Sequence, residues 1–357
     1  MSLENTQNGV TTGSVATATA LSALKTILTD EDISVVQIKT PKEIIDIEII
    51  KNEKISNNLA KSIAIKHPYN DPDVTVNLDI IATVELLDKK NNETILITGG
   101  DGVGKVTKPG LQIPVGGYAI NPVPRKMIEN NLKPLIPKGK MVKVEISIPK
   151  GKEIGKKTMN PRLGIVDGIS ILGTTGIARS MSSQAYKDSI VYQIDVAIAE
   201  NLDNLVFVPG NIGEKIALEK LNVSKEQIIQ TGNYIGFMFE KAAEKGVKNF
   251  TLFGHIGKLV KVAGGIFNTK HSIADGRCEI IITYAALNGA NKDVLKEIYN
   301  SKTTDDIYEI LRRENLDEKV SNDIADAIKL KCKDRFEINL NVILVDMQGN
   351  FLNTNFD

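Results

Sequence analysis

The sequence predicts a two-domain protein with an α+β first part and a parallel α/β second part. Its 357 residues suit two domains, and 42% apolar with 25% charged residues is ordinary for a globular chain. Strand-like runs crowd residues 1–200, whereas strands and helices alternate at about twenty-residue spacing from residue 201. Because such alternation is typical of parallel βαβ units, we expect an α+β domain with antiparallel strands over 1–200 and a Rossmann-like domain over 201–357.

The elements of the first domain follow from capping and periodicity. Thr11–Ser14 supply helix-capping side chains, and apolar residues at helical spacing continue to Leu28. Strand-like runs follow at 33–38, 44–50, 78–87 and 142–148, the last alternating like a half-buried antiparallel strand. Six prolines and eight glycines between Gly99 and Gly139 predict a long loop region, and a long helix is expected from Ser180 to Glu200.

The second domain reads as three strand–helix pairs followed by a helical tail. The predicted strands are 205–208, 228–230 and 250–253, with helices near 212–221 and 234–245 and a third helix after the third strand. The tail holds further helices and a final strand at 337–345. This order favours a parallel sheet with its connections on the faces.

The charge and composition exclude several classes of function. The formal net charge is zero, which argues against non-specific nucleic-acid binding. The N-terminus lacks the basic and apolar segments of a signal peptide, and no apolar run reaches membrane-spanning length. Two cysteines, Cys278 and Cys332, and three histidines give no zinc-ligand pattern. We therefore expect a cytoplasmic protein with reduced thiols and no protein-bound metal.

The segment GGDGVGKVT at 99–107 raises the question of a phosphate-binding loop. It matches GxxxxGK through Lys105, but Val106 stands where the pattern needs Ser or Thr, and the Pro-Gly pair at 109–110 would end the helix that must follow. The dinucleotide pattern GxGxxG also fails, because the third residue after Gly102 is Lys105. We expect the glycines to let the backbone approach a ligand or to adopt positive φ; a turn without a ligand is the alternative.

Three predicted strands of the second domain end in turns of one pattern. Each turn combines glycine with a polar side chain and then Ile-Gly: PGNIG at 209–213, TGNYIG at 231–236 and FGHIGK at 253–258. In a parallel sheet these turns share the carboxyl edge, where doubly wound folds bind ligands. The pattern predicts a nucleotide-like pocket; the alternative is that the glycines only permit tight turns, with Asn as a helix cap.

Positive charge is concentrated in the middle of the chain. Residues 99–179 carry 14 Lys and Arg against 5 Asp and Glu, whereas 1–98 carry 9 against 14 and 180–357 carry 21 against 25. The block is compatible with a pocket for a polyanionic ligand, and a solvated lysine-rich surface is the alternative, favoured for Lys150, Lys152, Lys156 and Lys157. The tripeptide TTG, at 11–13 and 174–176, precedes two predicted helices, where it could bind carboxylates or serve as a cap.

Four longer stretches are TTGSVATATA at 11–20, TGGDGVGKVTKPGLQIPVGGYAINPVPRKM at 98–127, NPRLGIVDGISILGTTGIARSMS at 160–182 and GHIGKLVKVAGGIFNTKHSIAD at 254–275. Together they resemble the cobalt-precorrin-5B C1-methyltransferase family, known as CbiD. The resemblance covers nearly the whole chain. It implies transfer of a methyl group from S-adenosylmethionine to ring carbon 1 of cobalt-precorrin-5B in anaerobic cobalamin biosynthesis. The implied products are cobalt-precorrin-6A and S-adenosylhomocysteine.

The implied substrate carries many carboxylates, so cations and amides of the first domain are candidates to bind it. These candidates are Thr11, Thr12, Gly100, Gly102, Lys105, Lys108, Arg125, Lys126, Arg162, Thr174, Thr175 and Arg179. The implied donor suits the strand-end turns, where the candidates are Gly210, Asn211, Gly213, Gly232, Asn233, Gly254 and His255. For a general base we consider Asp101 first and His255 second.

Two other classes of function stay open at this point. A nicotinamide-dependent reductase would explain the parallel sheet, although GxGxxG is lacking, and a non-catalytic tetrapyrrole carrier would bind the ring without a donor. The expected partner is a cobalt-containing tetrapyrrole, with neither nucleic acid nor membrane, and a homodimer is compatible with the sequence. Calorimetry with S-adenosylhomocysteine separates the three.

Overall fold

The computed structural model describes residues 8–29, 31, 33–69, 73–89, 92–178 and 183–356. The chain divides into two compact units, Met1–Ala185 and Tyr186–Asp357. Antiparallel and parallel strand pairs both occur, so the predicted mixture of α and β structure with sheets of both kinds is confirmed.

The first unit is predominantly β. Its elements are β1 (Gly9–Val10), α1 (Thr12–Thr29), β2 (Val35–Lys39), β3 (Ile44–Glu48), β4 (Lys51–Ser56), β5 (Leu59–Ile65), β6 (Asp79–Asp88), β7 (Ile95–Gly99), β8 (Gly102–Val103), β9 (Lys105–Val106), α2 (Pro122–Leu132), β10 (Lys140–Ser147), α3 (Gly151–Gly155), β11 (Ile165–Val166), β12 (Gly168–Ile169) and β13 (Ile177–Ala178). Short 3-10 helices occupy Lys133–Leu135 and Asn160–Leu163.

A five-stranded sheet in the order β4-β5-β6-β10-β7 forms the centre of this unit. Strand β10 is antiparallel to β6, as the alternating pattern predicts, and parallel to β7. Alternate residues such as Val142 and Val144 are fully buried on one face. They share a core with Val15 and Leu24 of α1, so the helix packs against this sheet.

Helix α1 is buried on nearly all sides, which goes beyond the stripe of apolar residues at helical spacing seen in its sequence. Fifteen of its 18 residues are buried. Its threonines tolerate burial because their hydroxyls donate to main-chain carbonyls about one turn back: Thr17 to Gly13 at 2.8 Å and Thr26 to Ser22 at 3.0 Å. Small and self-satisfied side chains let the helix lie close to the sheet.

The region 99–139 was predicted as a long loop because of its many prolines and glycines, but it contains a helix. Helix α2 begins at Pro122, and Asn121 precedes it in an extended conformation. Proline fits the first turn of a helix because its missing N–H would have no partner there. The helix buries Met127, Ile128 and Leu132.

The second unit contains one parallel sheet and most of the helices. Its elements are β14 (Asn204–Val208), α5 (Asn211–Lys220), β15 (Ile228–Gln230), α6 (Ile235–Glu244), β16 (Asn249–His255), α7 (Ile256–Ala263), α8 (Arg277–Leu287), α9 (Lys292–Asn300), α10 (Thr304–Arg313), α11 (Asp317–Phe336) and β17 (Leu340–Val345), with a 3-10 helix at Lys225–Gln227. Helix α4 (Ser183–Ala199) contains the division between the units.

The sheet has the order β15-β14-β16-β17, and all three neighbouring pairs are parallel. The two faces of the sheet are covered by different helices. Val206 and Val208 share a core with Ile216 and Ala217 of α5. Phe207 lies in the other core, with residues of α4, α6, α7 and α11. The predicted strand–helix alternation of this region is confirmed.

The last strand starts later than predicted. Glu337 is the left-handed cap of α11, with φ of 57°, and β17 begins at Leu340. Residues 337–339, which were predicted as the start of the strand, therefore form the connection between the helix and the strand.

Candidate functional site

The carboxyl ends of the four parallel strands lie at one edge of the second unit, as predicted. Strand β14 leads into α5 on one face of the sheet, whereas β16 leads into α7 on the other. Two neighbouring strands whose connections depart to opposite faces leave a crevice between their carboxyl ends. By this rule, a ligand is expected beside the Pro209–Gly210 and Gly254–His255 turns. The two turns lie close together, since a Cβ on Gly254 would lie 2.9 Å from Pro209 Cδ.

The glycines of these turns differ in the local reason for their presence. Gly232 has φ of 58°, and a Cβ there would lie 3.0 Å from Tyr186 Oη. A Cβ on Gly254 would be crowded by Pro209. Gly213 has ordinary contacts. At Gly210 the backbone is extended, with φ of 173°, and a Cβ would meet no described atom within 4 Å. Local packing explains Gly232 and Gly254, whereas Gly210 leaves open space that a ligand could fill.

A polar network joins the ends of β14 and β15. Gln230 Nε2 donates to Asn211 Oδ1 at 2.7 Å and to Glu214 Oε2. The main chain of Gln230 is held by Gln193, whose Oε1 accepts from Gln230 N at 3.0 Å and whose Nε2 donates to Gln230 O at 3.3 Å. Glu214 is only 8% exposed, while Asn211 is exposed. The network thus leads from the surface to a buried carboxylate.

His255 caps helix α7 with its ring. Its Nδ1 accepts from Gly257 N at 3.2 Å, so Nε2 carries the hydrogen in the neutral ring and faces Asp305 Oδ1 at 3.4 Å. Both nitrogens are therefore engaged in this arrangement. Behind the cap, burial and the positive charge of Lys261 lower the pKa of Lys258.

Asn233 lies at the tip of β15 beside an unsatisfied hydroxyl. Its carbonyl accepts from Thr269 N at 2.9 Å. The Thr269 side chain is 4% exposed, and its hydroxyl has no hydrogen-bond partner within the described residues. Because buried polar atoms usually have a partner, the Thr269 hydroxyl is a candidate contact for a ligand or a water molecule. Thr269 was not among the site residues predicted from the sequence.

In the first unit, the glycine segment is built into the sheet rather than opened as a cradle. Gly102 has φ of 71°, and a Cβ there would lie 1.8 Å from Ile148 O. Cβ atoms on Gly151 and Gly168 would lie 2.1 and 2.3 Å from Gly102 O. The segment continues into the short strands β8 and β9, which pair with β12 and β11. These glycines therefore allow backbone to approach backbone.

Asp101 lies at the exposed tip of this segment. Its side chain is exposed, and its carbonyl accepts from Ile148 N at 2.7 Å. The neighbouring Gly100 packs against β10, where a Cβ would lie 2.3 Å from Ser147 Oγ and 2.8 Å from Glu145 Oε1. Glu145 was not among the predicted site residues, because a glutamate at an alternating position of a strand is typical of an ordinary solvent-facing residue.

The two TTG tripeptides lie side by side. Thr12 Oγ1 accepts from Leu172 N at 2.9 Å, and Ser14 Oγ donates to Gly176 O at 2.6 Å. Thr11 N donates to Gly176 O at 3.2 Å. Thr11 and Thr12 are buried, whereas Thr174 and Thr175 are exposed. The first tripeptide is engaged in holding the 172–176 turn, and the second presents its threonines to solvent.

The guanidinium of Arg125 is held by two main-chain carbonyls. Its Nε donates to Ile120 O at 2.9 Å and its Nη1 to Ile97 O at 3.1 Å. Burial lowers the pKa of this guanidinium from its usual value, with Glu129 acting in the opposite direction. Two carbonyls thus fix the plane of a half-buried guanidinium, an arrangement suited to carboxylate recognition.

The remaining predicted cations occupy different surroundings. Lys105 Nζ lies 5.5 Å from the centre of the Tyr118 ring. The stem of Lys108 lies over Gly164, and Arg162 is in the 3-10 helix just before that glycine. Arg179 lies outside the described residues.

Lys126 and Thr174 line an open groove of about 380 Å³ in the first unit. The other lining residues are Lys39, Thr40, Pro41, Val123, Met127 and Asn130. Lys39 was missed by the sequence analysis because it lies outside the positively charged block. The groove therefore joins two exposed lysines that are distant in sequence.

Among the described residues, no three His, Cys, Asp or Glu side chains converge as a metal-binding group. Over that part of the chain, no helix combines the length and apolar character needed to cross a membrane.

Residues 2–180 match the family described as CbiD, and residues 268–355 match CbiD, C-terminal domain. A cobalt-precorrin-5B C(1)-methyltransferase of Methanobrevibacter smithii is 63% identical, over 98% of this chain and 97% of its own. The protein of the same name from Methanosphaera stadtmanae is 52% identical, over 97% and 91%. A crystal structure described as a cobalamin biosynthesis protein (cbiD) from Archaeoglobus fulgidus aligns at 23% identity and a TM-score of 0.38, covering 76% of this chain and 84% of that one.

Proposed function

Because the chain belongs to the CbiD family, we propose that it methylates ring carbon 1 of cobalt-precorrin-5B with S-adenosylmethionine as the donor. The product is cobalt-precorrin-6A, an intermediate of anaerobic cobalamin biosynthesis. The near full-length match to relatives of that name carries this proposal. It favours a C-methyltransferase over the reductase and the carrier that the sequence left open.

We assign the donor to residues 201–357, as a Rossmann-like domain. Support comes from the departure of α5 and α7 to opposite faces after the neighbouring strands β14 and β16, from the open position at Gly210, and from the hydroxyl of Thr269, which has no partner within the described residues. These features fit a ligand with both polar and apolar parts. When bound, S-adenosylmethionine supplies a methyl group on a positively charged sulfur.

The chain's own task at this edge is to hold and orient the donor. Gly210 allows close approach, and Asn211 presents its side-chain amide at the exposed end of the network. His255 keeps the start of α7 rigid by accepting from Gly257 N. Since in-line transfer depends on alignment, fixed positions of this kind can contribute roughly 7–11 kcal/mol to lowering the barrier.

We assign the acidic tetrapyrrole to residues 1–200. Arg125 supports this assignment best, because its guanidinium is oriented by two carbonyls and half-buried. Lys126 and Lys39 add positive charge at the groove. A substrate with many carboxylates binds to several such points at once, and each charge-assisted bond fixes its orientation.

Asp101 remains our proposal for a proton acceptor. Its exposed carboxylate stands at the tip of a turn whose backbone is fixed by Gly102 and Ile148. Asp101→Asn keeps the size of the side chain and removes its basicity. We expect slower single-turnover methylation with unchanged donor affinity; an unchanged rate would remove Asp101 from the reaction.

The activity itself is tested with cobalt-precorrin-5B and a donor that carries a labelled methyl group. Mass analysis should show one labelled methyl on the tetrapyrrole and an equal amount of S-adenosylhomocysteine. Calorimetry in parallel should show binding of S-adenosylhomocysteine and none of NADPH. Tetrapyrrole binding without mass gain or donor binding would favour the carrier, and NADPH binding would favour the reductase.

A further inference from the structure

The network at the ends of β14 and β15 carries a more specific assignment, which rests on the proposed function. Gln230 is the last residue of β15, the strand next to β14 on the side away from the crevice. In doubly wound folds, the group at the end of this second strand meets the sugar of a bound nucleoside. Here that place is taken by an amide that is coupled to the buried carboxylate of Glu214.

The hydrogen bonds of Gln230 fix the orientation of its amide. Its Nε2 donates to Asn211 Oδ1 and to Glu214 Oε2, which uses both amide hydrogens. Gln193 holds the main chain on both sides of the residue. Gln230 Oε1 is therefore presented as an acceptor. Turning the amide over to place a donor there would break both hydrogen bonds of Nε2.

Glu214 provides a second acceptor beside the first. A carboxylate offers about four lone-pair positions, so it can accept from Gln230 and from further donors. Asn211, whose Oδ1 is used by Gln230, presents its Nδ2 as a donor at the exposed end. Two neighbouring acceptors and one donor match two neighbouring hydroxyls, each of which donates one hydrogen and accepts others.

We infer that Glu214 and Gln230 bind the 2′- and 3′-hydroxyls of the ribose of the methyl donor. Neither the base nor the methionine part of the donor presents such a pair of hydroxyls. The buried position of Glu214 makes its bonds to hydroxyls strong, because water competes poorly there. The pair thereby selects a ribonucleoside over a deoxyribonucleoside.

The test combines two ligands with two proteins in calorimetry on the full chain. The ligands are S-adenosylhomocysteine and its 2′-deoxy analogue, and the proteins are the wild type and Glu214→Gln. We expect the wild type to bind the deoxy analogue roughly 10- to 100-fold more weakly, as for loss of a hydrogen bond to a charged group. In Glu214→Gln the two ligands should bind within about threefold of each other, because only the ribose ligand loses an interaction.

The matched control is Glu219→Gln on the same helix, at an exposed glutamate that lies 3.9 Å from Lys215. It should keep the wild-type preference. Gln230→Met removes the amide and keeps the length of the side chain, so it should also lose the preference for the ribose ligand. It replaces Glu214→Gln as the test variant if that protein melts at a lower temperature than the wild type. An undiminished preference in a folded Glu214→Gln protein, or equal binding of both ligands by the wild type, would overturn the inference alone. No binding of either ligand by the wild type would overturn the proposed function as well.

Discussion

Replacing Gly102 by alanine tests whether the glycine segment serves the fold rather than a ligand. The new Cβ would lie 1.8 Å from Ile148 O. That peptide cannot easily yield, because Ile148 O accepts from Gly151 N at 2.7 Å and Ile148 N donates to Asp101 O at 2.7 Å. Any shift that relieves the overlap therefore strains or breaks main-chain hydrogen bonds.

The expected loss of stability has three parts. A left-handed φ costs an alanine about 1–2 kcal/mol. Overpacking adds about 1–3 kcal/mol, and a lost main-chain hydrogen bond about 1 kcal/mol. Together these lower the free energy of unfolding of the first unit by about 3–6 kcal/mol.

Gly116→Ala is the matched control for Gly102→Ala. Gly116 has φ of 85° in the same region, but a Cβ there would meet no atom of the described residues within 4 Å. It should therefore lose only the conformational part, about 1–2 kcal/mol. Hydrogen exchange of peptides that cover 99–107 and 146–151, with urea titration, measures both. Equal losses in the two variants would refute the close backbone approach.

Three further outcomes follow from individual contacts. Gly210→Ala should keep its melting temperature, because its Cβ would meet no described atom within 4 Å, yet it should bind S-adenosylhomocysteine about tenfold or more weakly. The control Gly276→Ala, whose Cβ contacts are 3.6 Å or more, should change neither property. Arg125→Lys should raise the KM for the tetrapyrrole about tenfold, since a lysine cannot reproduce the planar donor pair, and leave donor affinity unchanged; an unchanged KM removes Arg125 from the site. Arg277 lowers the pKa of Asp275 from 3.8 to about 2, so the pair stabilises the fold above pH 4 and loses this contribution as the pH falls towards 2. Melting curves should therefore separate Asp275→Asn from the wild type at neutral pH and converge near pH 2, and a constant gap would contradict this.

The second unit was the more predictable part from sequence. Its strands alternate with helices at regular spacing, and short apolar runs such as 205–208 end at glycine turns, so pattern and structure agree. In the first unit, β4 and β5 carry lysines and alanines instead of a clear apolar run, and they were missed. Helix α1 was found, but its burial on all sides depends on bonds from threonine to its own backbone, which no apolar pattern reveals.

The sequence indicates where to look for a candidate site more readily than which side chains compose it. Gly232 and Gly254 draw attention to the strand ends, because the positive φ of the first and the crowding of the second disfavour other residues there. Glu214 and Gln230 gave no signal, since a glutamate inside a helix and a glutamine at the end of a strand are common on any surface. They become candidates only because they are in contact in the folded chain, although they are 16 positions apart in the sequence.

The pairing of β1 with β13 has a consequence for how the first unit forms during synthesis. Gly9 pairs with Ala178, so residues near the start of the chain are held by residues that leave the ribosome much later. The first turn of helix α1 contacts this late segment through Thr12 and Ser14. These contacts of the nascent chain can form only once about 180 residues exist, which favours a late step in the folding of the first unit. Because β1 and β13 pair near the two ends of the first unit, a circular permutant of this unit should keep its fold. In such a permutant the two ends are joined and the chain is opened elsewhere, which changes the order of synthesis.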